Sequence, residues 1–394
     1  MRLYISVLLT LLCFCACSGV TSETLAEAPA ETEIETEISG YGLAEIQASV
    51  LPQIPEEAED EPVETETASE PDEPNEPETP GEIDYNVIKP NESGNIMVIM
   101  YHGLSDGNNK YDRSERDFIN DLNVLYNQGY HLISMKDLTE GNISTPAGCT
   151  PVALTFDDGK SSAFSMIEQD GELVPSPGCM VDIINRFCEE HPDFGKAGAF
   201  YIMGRGGEAF SGAGTLAERF NYLIGNGFEL GNHTWSHGQL SNMNAARIQE
   251  EIGKLDRLIR ENSDGFIPNT LTYPYGLRPK ASLRQYVLEG SYNGEEYAYA
   301  WGIREAPSNI TANPFHVAFD RLNVPRVRAT DDSNAEYDVQ DLGYFLRFYQ
   351  NNPERRFISD GDPNRISVPE SLKHLINPEA IGERELFIYG ETAP

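Results

Sequence analysis

Between residues 96 and 273 the sequence alternates short apolar runs with amphipathic segments, and this alternation limits the possible folds more than any other feature. The apolar runs have the length and composition of buried strands, and the segments between them carry apolar residues at helical spacing. This regular order predicts a parallel sheet, either open or closed into a barrel. We predict strands over 96–101, 131–135, 152–156, 198–202, 228–230 and 270–273, and helices over 115–128, 179–190, 215–226 and 244–262.

Residues with catalytic or ligating side chains follow two of these predicted strands. Asp157 and Asp158 come directly after the run 152–156, and His233 and His237 come after the run 228–230. Taken singly, the first pair is typical of a polar turn and the second of surface histidines. Together they are more informative, because parallel sheets gather ligands at the C-terminal ends of their strands.

These four side chains suit a catalytic metal site. Two adjacent carboxylates at the end of an apolar strand stay ionised only beside positive charge. The His-x-x-x-His spacing predicts two imidazoles on one face of a helical turn. One Asp and two His leave a coordination position open for water, and the spare carboxylate is placed to act as a base. After the run 270–273, the turn Pro274-Tyr275-Gly276 can direct a backbone N–H at a developing oxyanion.

The motifs around these residues resemble those of polysaccharide deacetylases, the carbohydrate esterases of family four with the NodB homology domain. They are Thr155-Phe156-Asp157-Asp158-Gly159, His233-Thr234-Trp235-Ser236-His237 and Tyr273-Pro274-Tyr275-Gly276, and the resemblance covers roughly residues 95–330. It implies a distorted (β/α) barrel that removes N- or O-acetyl groups from a cell-wall or extracellular polysaccharide, and we expect N-acetyl groups, with O-acetyl groups as the alternative. By position, it makes Asp157 the general base and Asp158, His233 and His237 the ligands of one divalent metal. Zn²⁺ is the expected ion, with Co²⁺ or Ni²⁺ as alternatives. The backbone N–H of Tyr275 would belong to the oxyanion hole.

The sequence departs from the family pattern at two points. Thr272 stands where many members have an arginine that holds the base aspartate, so another residue must do this if the site is active. Arg326 resembles the Pro-Arg segment of related sequences, and we expect it to orient the base or bind substrate, with a rim salt bridge as the alternative. The late histidine that supplies a general acid has no clear counterpart, because His374 lies in a helical fragment with no strand run before it. We predict His102, after the first strand, as the acid; a core or substrate-contacting histidine is the alternative.

The N-terminal quarter has a different composition. Residues 1–17 combine Arg2, an apolar run and three cysteines, as in an export signal. Phe14-Cys15-Ala16-Cys17 resembles a bacterial lipoprotein signal, which predicts a lipid anchor at Cys17 and a position on the extracellular face of the membrane; plain secretion is the alternative. Residues 18–84 contain 21 Asp and Glu, eight Pro and no Lys or Arg, so we predict a disordered acidic linker over 18–88. The catalytic domain would then span 89–394.

Charge and length set further bounds. The chain of 394 residues has a net charge of −36, and residues 85–394 retain −16, so a nucleic-acid partner is not expected. Cys149, Cys179 and Cys188 lack C-x-x-C spacing, which argues against a thiolate metal site and leaves one disulfide open. Residues 160–196 are long for a βα connection, and we interpret them as an insertion that shapes the substrate groove.

The sequence leaves oligomeric state open. It also leaves two rival functions: a non-catalytic carbohydrate-binding relative, and a hydrolase of another non-peptide C–N bond.

Overall fold

The computed structural model describes residues 83–107, 111–205, 209–305, 312–330 and 341–390, all within one compact unit, Pro74–Pro394. The predicted signal peptide, Cys17 and nearly all of the predicted linker lie outside these residues. No helix in the described ranges is both long enough and apolar enough to cross a membrane.

The described elements follow one another in a regular α/β order. The strands are β1 (Met97–Tyr101), β2 (Gly103–Leu104), β3 (Asp112–Arg113), β4 (Tyr130–Leu132), β5 (Thr150–Asp157), β6 (Met166–Gln169), β7 (Glu172–Pro175), β8 (Gly198–Ile202), β9 (Phe228–Asn232), β10 (Thr270–Thr272), β11 (Glu289–Tyr292), β12 (Glu295–Ala298), β13 (Trp301–Glu305), β14 (Val324–Arg328), β15 (Arg365–Pro369) and β16 (Glu385–Tyr389). The helices are α1 (Glu115–Asn127), α2 (Met135–Glu140), α3 (Met180–Glu190), α4 (Leu216–Gly225), α5 (Ala245–Glu261), α6 (Gln285–Leu288) and α7 (Leu342–Asn351).

Seven parallel strands close into a barrel. Going round the ring, β1 is followed by β5, β8, β9, β10, β13 and β14, and β14 pairs with β1 again. The short strand β4 pairs with the first residues of β5, on the same edge that β8 occupies further along. The predicted (β/α) barrel is therefore confirmed. The strand predicted over 131–135 is wrong at its end, because Ser134 caps the N-terminus of α2 and Met135 is already helical.

Side chains along each barrel strand alternate between two environments, as the period of a strand requires. On β5, Val152, Leu154 and Phe156 belong to the core layer shared with the surrounding helices. Ala153 belongs to a second cluster, which fills the barrel and includes Trp301. Continuing this alternation, Thr155 and Asp157 point into the barrel. The last inward position of the strand therefore carries a carboxylate.

A glycine makes room for a large ring inside the barrel. Tyr201 on β8 is fully buried, and its hydroxyl lies 2.8 Å from Oγ1 of Thr270 on β10. Gly231 on β9 lies against this ring, and a Cβ atom at that position would stand 2.3 Å from it. Only glycine leaves the space that the tyrosine occupies.

The connection from β5 to β8 is long, as the sequence predicts. It contains the hairpin of β6 and β7, which pair antiparallel, followed by α3. The hydroxyls of Ser165 and Ser176 bond across the base of the hairpin at 2.9 Å. Cys149, Cys179 and Cys188 are all free thiols, so the described residues contain no disulfide.

Candidate active site

One cavity at the C-terminal ends of the barrel strands brings together every site residue named from the sequence. Its volume is about 260 Å³. Its lining includes Asp157, Asp158, His102, His233, His237, Tyr275 and Arg326. These residues are spread over more than 220 positions of sequence and meet because the strands that carry them are parallel.

Arg326 forms a buried bidentate ion pair with Asp157. Its Nη1 lies 2.7 Å from Oδ1 and its Nη2 lies 2.6 Å from Oδ2, with the two side chains 1% and 2% exposed. Nη1 also donates to the Thr155 hydroxyl at 3.2 Å. The structure therefore places an arginine beside this aspartate from β14, although position 272 on β10 holds a threonine.

The ion pair determines the charge of the carboxyl. Burial alone raises the pKa of Asp157, but the charge and hydrogen bonds of Arg326, with smaller help from His233, outweigh it. The pKa of Asp157 is consequently held well below its ordinary value. Asp157 is an anion over the whole physiological pH range, in the interior of the protein.

Three side chains form a group that could hold a metal ion. One ligand atom from each of Asp158, His233 and His237 lies within 4.8 Å of the others. Oδ1 of Asp158 is 3.6 Å from Nε2 of both histidines. This same Oδ1 is buried and has no hydrogen-bond partner among the described residues, which is costly unless a cation binds there. The donor set of two nitrogens and one oxygen fits Zn²⁺ and leaves a position open.

Thr272 orients the more buried of the two imidazoles. Nδ1 of His233 lies 3.1 Å from the carbonyl oxygen of Thr272 and 2.5 Å from its hydroxyl. A proton on Nδ1 satisfies the carbonyl and leaves the Nε2 lone pair directed to the cavity. Burial lowers the pKa of His233 to about 4, so the ring is neutral, which is the form that ligates metals.

The histidine motif is a loop, so the predicted helical turn is wrong. Residues 233–237 follow β9 without helical structure, and Thr234 and His237 have φ angles of 65° and 54°. The two imidazole rings still come within 4.8 Å of each other, centroid to centroid. Asp158 and Tyr275 are also left-handed, with φ of 72° and 58°. Such backbone conformations in non-glycine residues concentrate at functional sites.

Glu251 on α5 supports this loop and was not predicted. Its buried carboxylate accepts hydrogen bonds from the backbone N–H and the hydroxyl of Ser236, both at 2.7 Å, and it also pairs with Arg247. The sequence contained a signal, because Glu251 falls on the apolar face of α5 with Ile248 and Leu255. A charged residue on a buried helical face needs a partner, and here the partner is the loop 233–237, which carries both histidines of the candidate metal group.

His102 and His374, the two histidines considered for the acid, occupy different places. His102 follows β1 and lines the cavity, whereas His374 lies in a 3₁₀ helix, Glu370–Leu375, outside the cavity lining. Nδ1 of His102 is buried and has no hydrogen-bond partner among the described residues. Burial lowers the pKa of His102, against the opposing effect of Asp157 and Asp158.

Aromatic rings form part of the cavity rim. Tyr275 is 61% exposed, and its ring centroid lies 4.7 Å from that of His237. Tyr111 is 40% exposed and lies 5.0 Å from the His102 ring. Trp235 instead packs against the core, with the Lys254 ammonium 3.9 Å above its ring.

Comparison with known proteins agrees with the motifs. Residues 193–291 match the family model described as polysaccharide deacetylase. A chitooligosaccharide deacetylase of Bradyrhizobium sp. is 24% identical over 136 residues, covering 34% of this chain and 51% of the relative. A peptidoglycan-N-acetylglucosamine deacetylase of Bacillus cereus is 26% identical over 173 residues, covering 41% of this chain and 54% of the relative. The matches thus span about half the length of these relatives.

Among solved structures, the Streptococcus pyogenes deacetylase PplD is similar with a TM-score of 0.44 at 15% identity, covering 59% of this chain and 92% of that one. The family match and the curated relatives show that part of this chain is similar to polysaccharide deacetylases. The matched segment 193–291 contains both histidines of the candidate metal group, while Asp157, Asp158 and Arg326 lie outside it.

Proposed function

We propose that this chain is a metal-dependent deacetylase that removes N-acetyl groups from an extracellular polysaccharide. One observation carries the proposal. A single cavity contains a buried carboxylate held as an anion by Arg326, and beside it a three-residue group whose Asp158 oxygen lacks a partner. Carboxylate, imidazole and guanidinium groups in this arrangement suit hydrolysis of an amide better than recognition of a neutral sugar.

Asp157 would act as the general base. Because its pKa is so low, it is a weak base and needs a water molecule that is already acidic. A divalent ion held by Asp158, His233 and His237 would lower the pKa of water and polarise the acetyl carbonyl. The bidentate contact with Arg326 fixes the direction of both carboxylate oxygens, so the proton acceptor is positioned before substrate arrives.

Two further residues would stabilise the negative charge that develops on the carbonyl oxygen and supply a proton to the leaving group. The backbone N–H of Tyr275, in the turn after β10, would donate a hydrogen bond to the oxyanion. His102 would protonate the departing amine, since it lines the same cavity and His374 does not. The choice of an N-acetyl rather than an O-acetyl substrate is motivated by the relatives whose names specify chitooligosaccharide and peptidoglycan-N-acetylglucosamine.

The test is acetate release from acetylated chito-oligosaccharides, peptidoglycan and acetylxylan, with metal content measured on the same samples. We expect Asp157→Asn to abolish activity and keep its metal, and Asp158→Asn to lose both. Asp264→Asn, at an exposed aspartate outside the cavity, is the matched control and should behave as the wild type. Near-full activity of Asp157→Asn would show that the base is assigned wrongly.

The same assays separate the two rival functions. A non-catalytic relative would retain oligosaccharides without releasing acetate, and the missing arginine at position 272 was a reason to consider it. Arg326 weakens that reason, because it supplies the contact to Asp157 from another strand. A hydrolase of other C–N bonds would act on small cyclic amides and leave the acetylated sugars intact.

We also propose that the chain is exported and anchored through a lipid on Cys17. Support comes from the sequence alone, in the apolar leader and the Cys15-Ala16-Cys17 segment. Globomycin, which inhibits lipoprotein signal peptidase, should cause an unprocessed precursor to accumulate. Unchanged processing in the presence of the drug, or membrane release of a Cys17→Ser variant equal to that of the wild type, would contradict the anchor.

A further inference from the structure

A second and larger depression lies beside the catalytic cavity. Its volume is about 970 Å³, whereas the catalytic cavity has about 260 Å³. Ligand-binding pockets span about 300–1,000 Å³, so the catalytic cavity is small for anything beyond one sugar unit and the larger depression has room for several. We call this second depression the serine groove, after its lining residues.

Hydroxyl groups dominate the lining of the groove. Serine contributes nearly half of its lining residues, among them Ser105, Ser161, Ser162, Ser165, Ser176 and Ser211. Most of these lie on or beside the inserted hairpin of β6 and β7, so the insertion forms one wall. The opposite wall is the first turn of α1. Small hydroxyl side chains provide donors and acceptors without filling the space, which suits a ligand that is itself rich in hydroxyl groups.

The groove and the catalytic cavity share a thin wall. This wall is the extended segment Gly103–Leu104, which directly follows His102, and the backbone N–H of Leu104 donates to the Ser162 hydroxyl at 2.9 Å. On the other side of the wall, Lys160 lines the catalytic cavity and pairs with Asp112 at 2.7 Å. Ser161, the next residue, already lines the groove. Neighbouring residues on the two sides of this wall thus line the two cavities.

The charges of the groove disfavour an anionic polymer. Asp106 and Glu115 line it, and the guanidinium of its one lining arginine, Arg116, already pairs with Asp117 at 2.9 Å. The start of α3 offers no free anion site either. The backbone N–H groups of Met180 and Val181 donate to carbonyl oxygens of Ser162 and Ala163. The groove therefore combines neutral hydroxyls with a carboxylate excess.

We propose that the serine groove binds the sugar units flanking the one that is deacetylated, and that it selects an uncharged amino-sugar chain over a polyanionic one. This inference rests on the proposed deacetylase function, which places the reacting sugar unit in the catalytic cavity. Binding of the polysaccharide to the groove can nevertheless be measured without catalysis. The binding energy of the flanking units would then be used to position the reacting acetyl group.

The experiment compares chitobiose with chitopentaose, by calorimetric binding to Asp157→Asn protein and by kcat/KM for active protein. Ser161→Trp and Ser211→Trp place a large ring at exposed lining positions. Ser371→Trp makes the same change at an exposed serine outside both cavities. We expect chitopentaose to bind about tenfold or more tightly than chitobiose, and both groove variants to lose that advantage. The Ser371→Trp control should keep it, and a hyaluronan hexasaccharide should bind no better than chitobiose. Thermal unfolding verifies that all variants are folded.

The outcomes are distinct from those that test the enzyme activity. If wild-type protein releases no acetate but the groove variants still abolish length-dependent binding, the groove is supported and the deacetylase proposal is refuted. If acetate is released and both groove variants still bind chitopentaose more tightly than chitobiose, as the wild type does, the groove does not bind the polysaccharide. Hyaluronan binding as tight as that of chitopentaose would overturn the selection for uncharged chains.

Discussion

Replacement of Arg326 by methionine tests the buried ion pair with Asp157. Both side chains are at most 2% exposed and share two hydrogen bonds of 2.7 and 2.6 Å, so methionine leaves a carboxylate buried without its main positive partner. Removing one member of a buried pair typically costs about 3–5 kcal/mol. We expect a loss of that size in the unfolding free energy of the metal-free protein.

The double variant Arg326→Met/Asp157→Asn gives the sharper result. It removes both charges, and neutral replacements of a buried pair are often as stable as the pair itself. One hydrogen bond, from Arg326 to the Thr155 hydroxyl at 3.2 Å, is still lost, which accounts for about 1 kcal/mol. The double variant should therefore be more stable than Arg326→Met alone, with a coupling of about 2–3 kcal/mol between the two positions.

Urea unfolding of the wild type, both single variants and the double variant, all in EDTA, measures this coupling. EDTA is needed because a bound cation would compensate the orphaned carboxylate. Arg328→Met is the matched control on the same strand, since Arg328 is partly exposed and pairs with Glu305 at 3.3 Å. Its cost should be about 0–1 kcal/mol. The reasoning is refuted if Arg326→Met costs no more than the control, or if the two single changes add without coupling.

Three further predictions follow from the supporting structure. If the proposed metal site is correct, Glu251→Ala should weaken metal binding by about tenfold to a hundredfold in a chelator competition assay, because the loop 233–237 loses its anchor; Glu250→Ala, one residue earlier on the same helix, should not. Gly231→Ala should lower stability by about 1–3 kcal/mol in chemical unfolding, because the methyl group collides with Tyr201; an unchanged midpoint would contradict the tight fit. Burial raises the pKa of Glu229 to about 7, whereas a glutamate in the unfolded chain has a pKa of about 4.3. Between these two pH values, the folded state keeps a proton that the unfolded state has lost. The unfolding free energy should fall as pH rises through this window, and Glu229→Gln should reduce that slope; equal slopes would show that Glu229 does not titrate this way.

Much of the barrel could be predicted from the sequence because its strands are short, apolar and separated by amphipathic helices. The helix predicted over 244–262 agrees with α5 to within a residue at each end, and Asn244 is its N-cap. The alternation of strands and helices did not predict closure of the sheet; only the family resemblance implied a barrel. Closure depends on the pairing of β1 with β14, two strands that lie more than 220 residues apart. No local pattern distinguishes an open parallel sheet from one whose first and last strands meet.

The candidate site shows the same division between local and long-range information. Asp157, Asp158 and the two histidines could be recognised because their types and spacing are local. The partner of Asp157 could not be derived in that way, because Arg326 reaches it only through the register of β14 on β1 and of β1 on β5. The loop form of 233–237 was also missed, because the left-handed residues Thr234 and His237 depend on tertiary contacts and not on intrinsic preference.

The contact between Asp157 and Arg326 has a consequence for how the domain can be divided. It connects β5 with β14 across the mouth of the barrel, and these two strands lie on either side of β1. A fragment cut at the limits of the family match, 193–291, would keep both imidazoles and lose the two carboxylates and the guanidinium. The site is therefore a property of the closed ring, and the shortest stretch of chain that contains all of it runs from His102 to Arg326.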